Sequence, residues 1–409
     1  MFETAVLLDW SEFAVRWLHV IVAIAWIGSS FYFIALDLGL RKAPDLPAGV
    51  SGEEWQVHGG GFYHIRKYAV APDGLPEHLT WFKWESYWTF ISGLALLIVV
   101  YWFGADLMLI DPRVADLASW QAIALSGGVL VAGWVAYQAI CRSPLGRDDT
   151  RLMLALFAVL VALSWALAQL FSGRAALLHL GAVTGAIMSA NVFLVIIPNQ
   201  KIVVADLRAG RAPDPKLGAI AKTRSTHNNY LTLPVLFLML SNHYPLAFAG
   251  PWNWAIASLV FLMGVTIRHF FNMRHAGRGS PWWTWGATAA LFAAAVGLSR
   301  APAPDSGAAV AAPSPAAAGD RFAAAPGFDR VQGIVMSRCS MCHAGEPVWP
   351  GLAAAPGGVR LDGPAAIAGQ ARSIHLQAAL THAMPPGNIT GLTAEERGAL
   401  ADWYRAGAR

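Results

Sequence analysis

Charge is scarce in this sequence: only 13% of its 409 residues are Asp, Glu, Lys or Arg. A soluble globular domain carries about a quarter. So little charge, beside 56% hydrophobic residues and 18 tryptophans, excludes an ordinary water-soluble protein. Cysteine is scarcer still, and three thiols cannot build a disulfide framework. A basic tail or face is missing too. The formal charge of +4 is spread over short segments between apolar stretches, which excludes nucleic acid as a partner. The N-terminus lacks the basic leader of a cleavable signal. Glu3 and Asp9 precede a first apolar run too long for a signal core, so that run is expected to remain as the first helix.

What is there is long apolar segments. Near-continuous apolarity over about twenty residues, the length that crosses a bilayer, recurs at residues 13–36, 86–103, 119–140, 152–170, 176–197, 227–242, 252–271 and 282–299. Eight spans are therefore expected, in an all-α polytopic bundle whose partner is the lipid bilayer. The fourth and fifth are separated only by Ser172, Gly173 and Arg174, so merging of these two is the main way the count fails. Under eight spans the segments 37–85, 141–151, 198–226 and 272–281 hold 16 Lys and Arg, against Arg113 and Arg174 on the other side. The positive-inside rule then puts both termini outside, in the periplasm.

After Arg300 the composition turns to an Ala/Pro-rich run, APAPDSGAAVAAPSPAAAGD, without the large apolar residues a core needs. The expected organisation is a membrane domain over 1–300, a linker over 301–325 and a small C-terminal domain over 326–409. That tail is short for an unaided core. Helices are expected from Asp329 to Arg338, within Ala365 to His382, and from Thr393 to Ala406, where Thr393 and Glu396 form a capping box.

The tail contains Cys339-Ser-Met-Cys342-His343. Two thiols spaced C-x-x-C can each add to a vinyl group of one haem, and the adjoining His343 is then held beneath the iron. This points to a class I-like cytochrome c domain with one covalent haem c. A thioether on the other face raises the potential, and Met384, in His382-Ala-Met-Pro-Pro-Gly387, is the expected sixth ligand, with His375 or His382 as alternatives. Set against the haem is a redox or zinc C-x-x-C followed by a chance histidine. The lone Cys141, at an inner helix end, is expected to be inert.

The polar segment 37–85 is long for a connector and rich in aromatics, which argues for an ordered, functional element. Histidines in or beside the spans sort by depth: His19, His179 and His243 toward the periplasm, His227, His269, His64 and His78 toward the cytoplasm. Each of them alone is most simply a satisfied bundle histidine. His19 stands out because Leu18-His-Val-Ile-Val-Ala-Ile-Ala-Trp26-Ile-Gly28 resembles the first helix of small membrane haem proteins related to protoporphyrinogen oxidase, where the histidine is a proposed haem ligand.

A wider resemblance runs through Gly59-Gly-Gly-Phe-Tyr63, Trp81-Phe-Lys-Trp-Glu-Ser-Tyr-Trp88, Ile197-Pro-Asn-Gln-Lys201, Thr226-His-Asn-Asn-Tyr230, Leu233-Pro-Val-Leu-Phe237, Ser241-Asn-His-Tyr244 and Arg268-His-Phe-Phe-Asn272. With the spans and the cytochrome-like tail, the whole chain resembles the bacterial membrane-bound, cytochrome-c-linked urate oxidase (urate hydroxylase) family. The resemblance implies a multi-pass protein of the inner membrane. It implies oxidation of urate to 5-hydroxyisourate, with electrons passed to the cytochrome and on to a soluble cytochrome or terminal oxidase.

Urate is a flat anion rich in hydrogen-bonding groups, so its site needs a stacking wall, amides and a cation. Trp81 and Trp84, with Phe62 and Tyr63, are candidate stacking residues. Asn199, Gln200, Asn228 and Asn229 are candidates to read the purine edge, and Lys83, Lys67, Lys201 or Arg224 to balance the charge. His227 or His64 is the candidate base. For each, an interfacial belt residue or a positive-inside charge is the plainer reading.

An inner substrate and an outer haem lie about 30 Å apart across the hydrocarbon, and removal of two electrons sits awkwardly with one haem. A haem b in the bundle is therefore expected, with His19 as leading ligand and His179 or His243 as partner. A urate pocket near the outer surface, including His19, Trp26 and Asn242, is the alternative. Two rival functions remain at this point: a quinol-oxidising respiratory carrier, and a transport or assembly protein whose tail senses redox state.

Overall fold

The computed structural model describes residues 4–68, 76–111, 114–301 and 318–408, apart from 351, 353, 354, 381 and 383. Helix α1 (Thr4–Gly39) leads to a hairpin, β1 (Val50–His58) and β2 (Gly61–Tyr68). Helix α2 (Trp84–Leu96) continues through a π-helical stretch, Leu97–Trp102, to the short α3 (Ala105–Met108). Then come α4 (Ser119–Arg142), α5 (Asp149–Ala168) and α6 (Gly173–Ala190), which passes through a second π-helical stretch, Asn191–Ile196, into α7 (Ile197–Arg208). Helices α8 (Pro215–Ser241), α9 (Pro245–Phe248), α10 (Asn253–His275) and α11 (Trp283–Ser299) complete this part.

Among the described residues six helical segments are long and apolar enough to cross a membrane: Trp10–Gly39, Trp84–Trp102, Ser119–Arg142, Asp149–Ala168, Gly173–Arg208 and Asn253–His275. The expected spans 227–242 and 282–299 fall in the second half of α8, whose first half carries Lys216, Lys222 and Arg224, and in the 17-residue α11. The fourth and fifth expected spans are separate helices. Ser172 caps α6, accepting from the Ala175 amide, and anchors the turn by donating to the Met108 carbonyl at 3.0 Å.

Large apolar side chains are found on the outside of this part as well as in its core. Trp10, Phe13, Trp17 and Ile24 of α1 face outward, while Ser126, His179, Thr184, Asn191 and Asn229 are enclosed. Outward apolar side chains, with polar ones partnered between helices, are an arrangement suited to a bilayer. Helix α6 is the buried centre, packed against α4, α5 and α8. Small residues set the approaches. A Cβ on Gly133 of α4 would fall 2.2 Å from a Val183 methyl of α6, and one on Gly264 of α10 2.4 Å from the Pro234 ring of α8.

The all-α expectation needs one correction, the hairpin in the long polar segment. Gly59 and Gly60, at φ 59° and 80°, form a two-residue connection between paired His58 and Gly61. Positive φ at both central positions is the type I′ requirement, which glycine meets without strain. The strands then pair Trp55 with His64 and Val57 with Phe62.

The tail has its own core. Helices α12 (Ala318–Ala323), α13 (Phe328–Arg338), α14 (Pro364–Gly369), α15 (Ala371–Ile374), which runs on through His375–Leu380, and α16 (Ala394–Gly407) enclose Val331, Val335, Ile367, Leu400 and Trp403. Thr393 and Glu396 form the expected capping box. Packing begins before the expected boundary at 326, since Phe322 is buried against Trp403 and its carbonyl accepts from the indole N–H at 2.8 Å. The central part of the expected linker, 302–317, lies outside the described residues.

Candidate functional site

The π-helical stretch that opens at Asn191 inserts an extra residue into a turn and so redirects side chains, a device common at functional sites. Here it accompanies a buried polar cluster between α4, α6 and α8. Arg224 donates through Nη1 to Asn191 Oδ1 at 3.2 Å and through Nη2 to Gln138 Oε1 at 2.7 Å. Its guanidinium lies 4.8 Å from the Tyr137 ring centroid. Asn191 Nδ2 donates to the Tyr137 hydroxyl at 3.1 Å and to Asn228 Oδ1 at 2.9 Å. The Tyr137 hydroxyl meets His227 Nδ1 at 2.8 Å.

The cluster forms the floor of a cleft of about 470 Å³ bounded by Gln138, Cys141, Asn199, Thr223, Arg224 and His227 with the apolar Leu152, Leu194, Val195 and Ile220. That volume suits a small organic molecule. Two features mark the cleft as a ligand site. Arg224, 6% exposed, has no carboxylate partner among the described residues, and a buried cation without an anion is costly unless one arrives. His227 Nε2 is buried without a hydrogen-bond partner among the described residues.

Of the residues expected at the site, His227 and Asn199 line this cleft. Asn228 sits behind it, bonded to Asn191 and donating to the Met188 carbonyl at 2.9 Å. Its amide therefore braces the cluster, and Asn228 does not line the cleft. Asn229 belongs elsewhere, in a second cluster on another face of α8. Its Oδ1 accepts from Asn272 at 3.0 Å and Arg268 at 3.3 Å, and the Arg268 guanidinium stacks 4.0 Å from Phe31.

The remaining candidates are not brought to the cleft. Gln200 is exposed. Lys83 lies over Trp84 at 5.1 Å and Trp81 at 6.0 Å, a small cation–aromatic group at the start of α2. His64 stacks on Trp55 at 4.1 Å and pairs with Glu53 at 2.7 Å. That hydrogen bond, helped by Arg66, holds the Glu53 carboxyl below its usual range. The walls of the cleft are apolar, and neither Trp81 nor Trp84 lines it.

Sequence reasoning missed Tyr137, Gln138 and Asn191. Their signal was a polar pair closing an apolar helix and one amide inside an apolar run.

The three expected haem b ligands meet other side chains, a backbone carbonyl or solvent. His179 has both ring nitrogens engaged, Nε2 with Ser126 Oγ and Nδ1 with the Ala175 carbonyl, each at 2.7 Å. His19 bonds Ser92 Oγ through Nδ1 at 3.0 Å, and His243 is exposed. As placed, these residues do not fit such a haem.

The tail residues do fit a covalent haem. His343 Nδ1–H donates to the Val359 carbonyl at 2.9 Å, which leaves Nε2 as the ligand nitrogen. The Met384 loop is tied down. Its amide donates to the Gln377 carbonyl at 2.8 Å, and buried Arg397 donates to its carbonyl at 3.0 Å. The alternative ligand His375 is buried in a stack with Tyr404 at 4.3 Å, and His382 is exposed. Burial, with the Cys342 thiol beside it, pushes Cys339 up to about 11.

Residues 5–299 match the family described as urate oxidase N-terminal. The match takes in α1 through α11 and the whole cleft, and leaves the tail outside. No curated protein and no solved structure matches the chain. With most of its length covered by the family match, this chain belongs to the urate oxidase N-terminal family.

Proposed function

We propose, for a member of this family, a membrane-bound urate oxidase that binds its substrate in the Arg224 cleft and passes electrons to a haem c carried on its own tail. The observation that carries the reading is the buried, carboxylate-free Arg224 at the floor of a cleft of about 470 Å³ in a urate oxidase-related domain. An anionic purine supplies the missing charge. Its acceptor atoms suit the guanidinium, its N–H groups suit the oxygens of Gln138 and Asn199, and its faces suit Leu194, Val195 and Ile220.

Urate and water give 5-hydroxyisourate with release of two protons and two electrons. Arg224 and His227 hold the ring of the anion against the apolar wall. The haem, when bound at Cys339 and Cys342, accepts electrons one at a time. We place the protein in the bacterial inner membrane with the tail in the periplasm, because with all eight apolar segments crossing, the basic segments share one side and the tail follows from the other. A quinol site would need a long apolar cavity, and a polar floor of Arg224, Gln138 and His227 does not provide one.

The test is anaerobic addition of urate to membranes holding the full chain, following the c-type haem absorption. Reduction by urate and not by allantoin is expected. Active haem that stays oxidised overturns the reading.

A further inference from the structure

A guanidinium can only donate hydrogen bonds, and that single fact orients every group in the chain from Arg224 to His227. Arg224 Nη1 donates to Asn191, so the Asn191 atom facing it is the carbonyl oxygen. The amide nitrogen of Asn191 then faces Tyr137 and Asn228, and the Tyr137 oxygen accepts from it at 3.1 Å. The Tyr137 proton needs an acceptor, and His227 Nδ1 lies 2.8 Å away. Cys141, one turn further along α4, is near enough to feel Tyr137. A thiol sulfur is a weak acceptor, however, and the imidazole nitrogen takes the proton.

We infer that Tyr137 is a positioning residue that locks neutral His227 in the Nε2–H tautomer, so that the histidine meets the substrate as a hydrogen-bond donor and not as a base. This deepens the proposed function and rests on the cleft being the urate site. It corrects the expectation of His227 as the base. The buried, unpartnered Nε2 carries hydrogen and seeks an acceptor atom on the ligand, a carbonyl oxygen or a deprotonated ring nitrogen of the purine. Arg224 and His227 then both donate toward the ligand, which selects the purine as an anion and disfavours neutral purines that present N–H at the same position.

The experiment has two arms on the detergent-solubilised full chain. In the first, ¹⁵N-histidine spectra are recorded without urate, with His227→Gln assigning the signal. Protonated Nε2 and unprotonated Nδ1 are expected, unchanged in Cys141→Ala, with the Nε2–H share falling in Tyr137→Phe. Protonated Nδ1 in the unsubstituted protein overturns the inference.

In the second arm urate is titrated. A glutamine amide places its N–H where Nε2–H lies, so His227→Gln is expected to lose less urate affinity than His227→Ala, which weakens binding roughly tenfold or more. Normal binding with abolished turnover in His227→Gln would mark a base and sink the inference. Absence of urate binding in the unsubstituted protein, with the Nε2–H signal present, would instead sink the proposed function and leave the tautomer standing.

Discussion

Replacing Arg224 with leucine separates ligand binding from fold stability. In the free protein two opposing effects follow. A buried charge without a carboxylate is removed, which relieves a desolvation cost of several kcal/mol. Against this, Asn191 Oδ1 and Gln138 Oε1 lose their donor, at about 1–3 kcal/mol for each buried acceptor left unpaired. The two nearly cancel, and the melting temperature is expected to stay within a few degrees.

Urate binding has no such compensation. Two charge-assisted hydrogen bonds to the anion at about 1.5 kcal/mol each, the lower end of their range, amount to about 3 kcal/mol, or roughly a hundredfold in Kd. Arg224→Lys keeps the charge and loses the fork, and falls between. The assay is titration of urate into solubilised protein, beside thermal unfolding of the same preparations. A folded Arg224→Leu protein that binds urate within twofold of the unsubstituted one refutes the reasoning.

Gly133→Val should separate α4 from α6, since even a Cβ there meets Val183 at 2.2 Å; lowered stability and weakened urate binding are expected, read by thermal unfolding and titration. His64→Ala and Lys83→Ala should leave urate affinity unchanged, because both residues are engaged away from the cleft; a tenfold loss in either would restore the site expected from sequence. In the tail, Met384→Ala should lower the haem potential while urate still binds, as redox titration and binding would report.

Glu396 provides a pH test. The Thr393 amide hydrogen bond, with Arg338 beside it, holds its carboxyl below the usual glutamate range. A depressed folded value contributes stability above the ordinary glutamate range, and that contribution is lost as pH falls through the folded value. Glu396→Gln should therefore lower tail stability at neutral pH and flatten its loss on acidification, followed by near-ultraviolet circular dichroism of the full chain.

Much of the helical framework was legible because long apolar runs and capping residues are local signals: Ser172 and Thr393 cap where their residue types suggest. The hairpin was also written locally, in Gly59-Gly60 between alternating residues, but glycine counted as loop conceals a type I′ turn. The site was legible only in part. His227 and Asn199 stood in recognisable segments, and Arg224 was one of several cations offered. Tyr137 and Asn191 were not seen, because apolar periodicity fixes a residue's depth and leaves open which neighbour its helix face meets. At Asn191 the π-helical stretch further shifts that face. Trp81 and Trp84 have the flat faces a purine needs, but they lie away from the cleft, with Lys83 over both rings. Asn228 and Asn229, adjacent in sequence, point about 100° apart on a helix and so serve two different clusters.

The central claim is that urate is oxidised with water as oxygen source while its electrons leave by one-electron transfer. Membranes containing the full chain, urate and a soluble one-electron acceptor, held without dioxygen in ¹⁸O-labelled water, test it most directly. The account predicts two equivalents of acceptor reduced per urate and one ¹⁸O atom in 5-hydroxyisourate, with both lost in Arg224→Leu at limiting urate. Urate left unconsumed until dioxygen is admitted would contradict it.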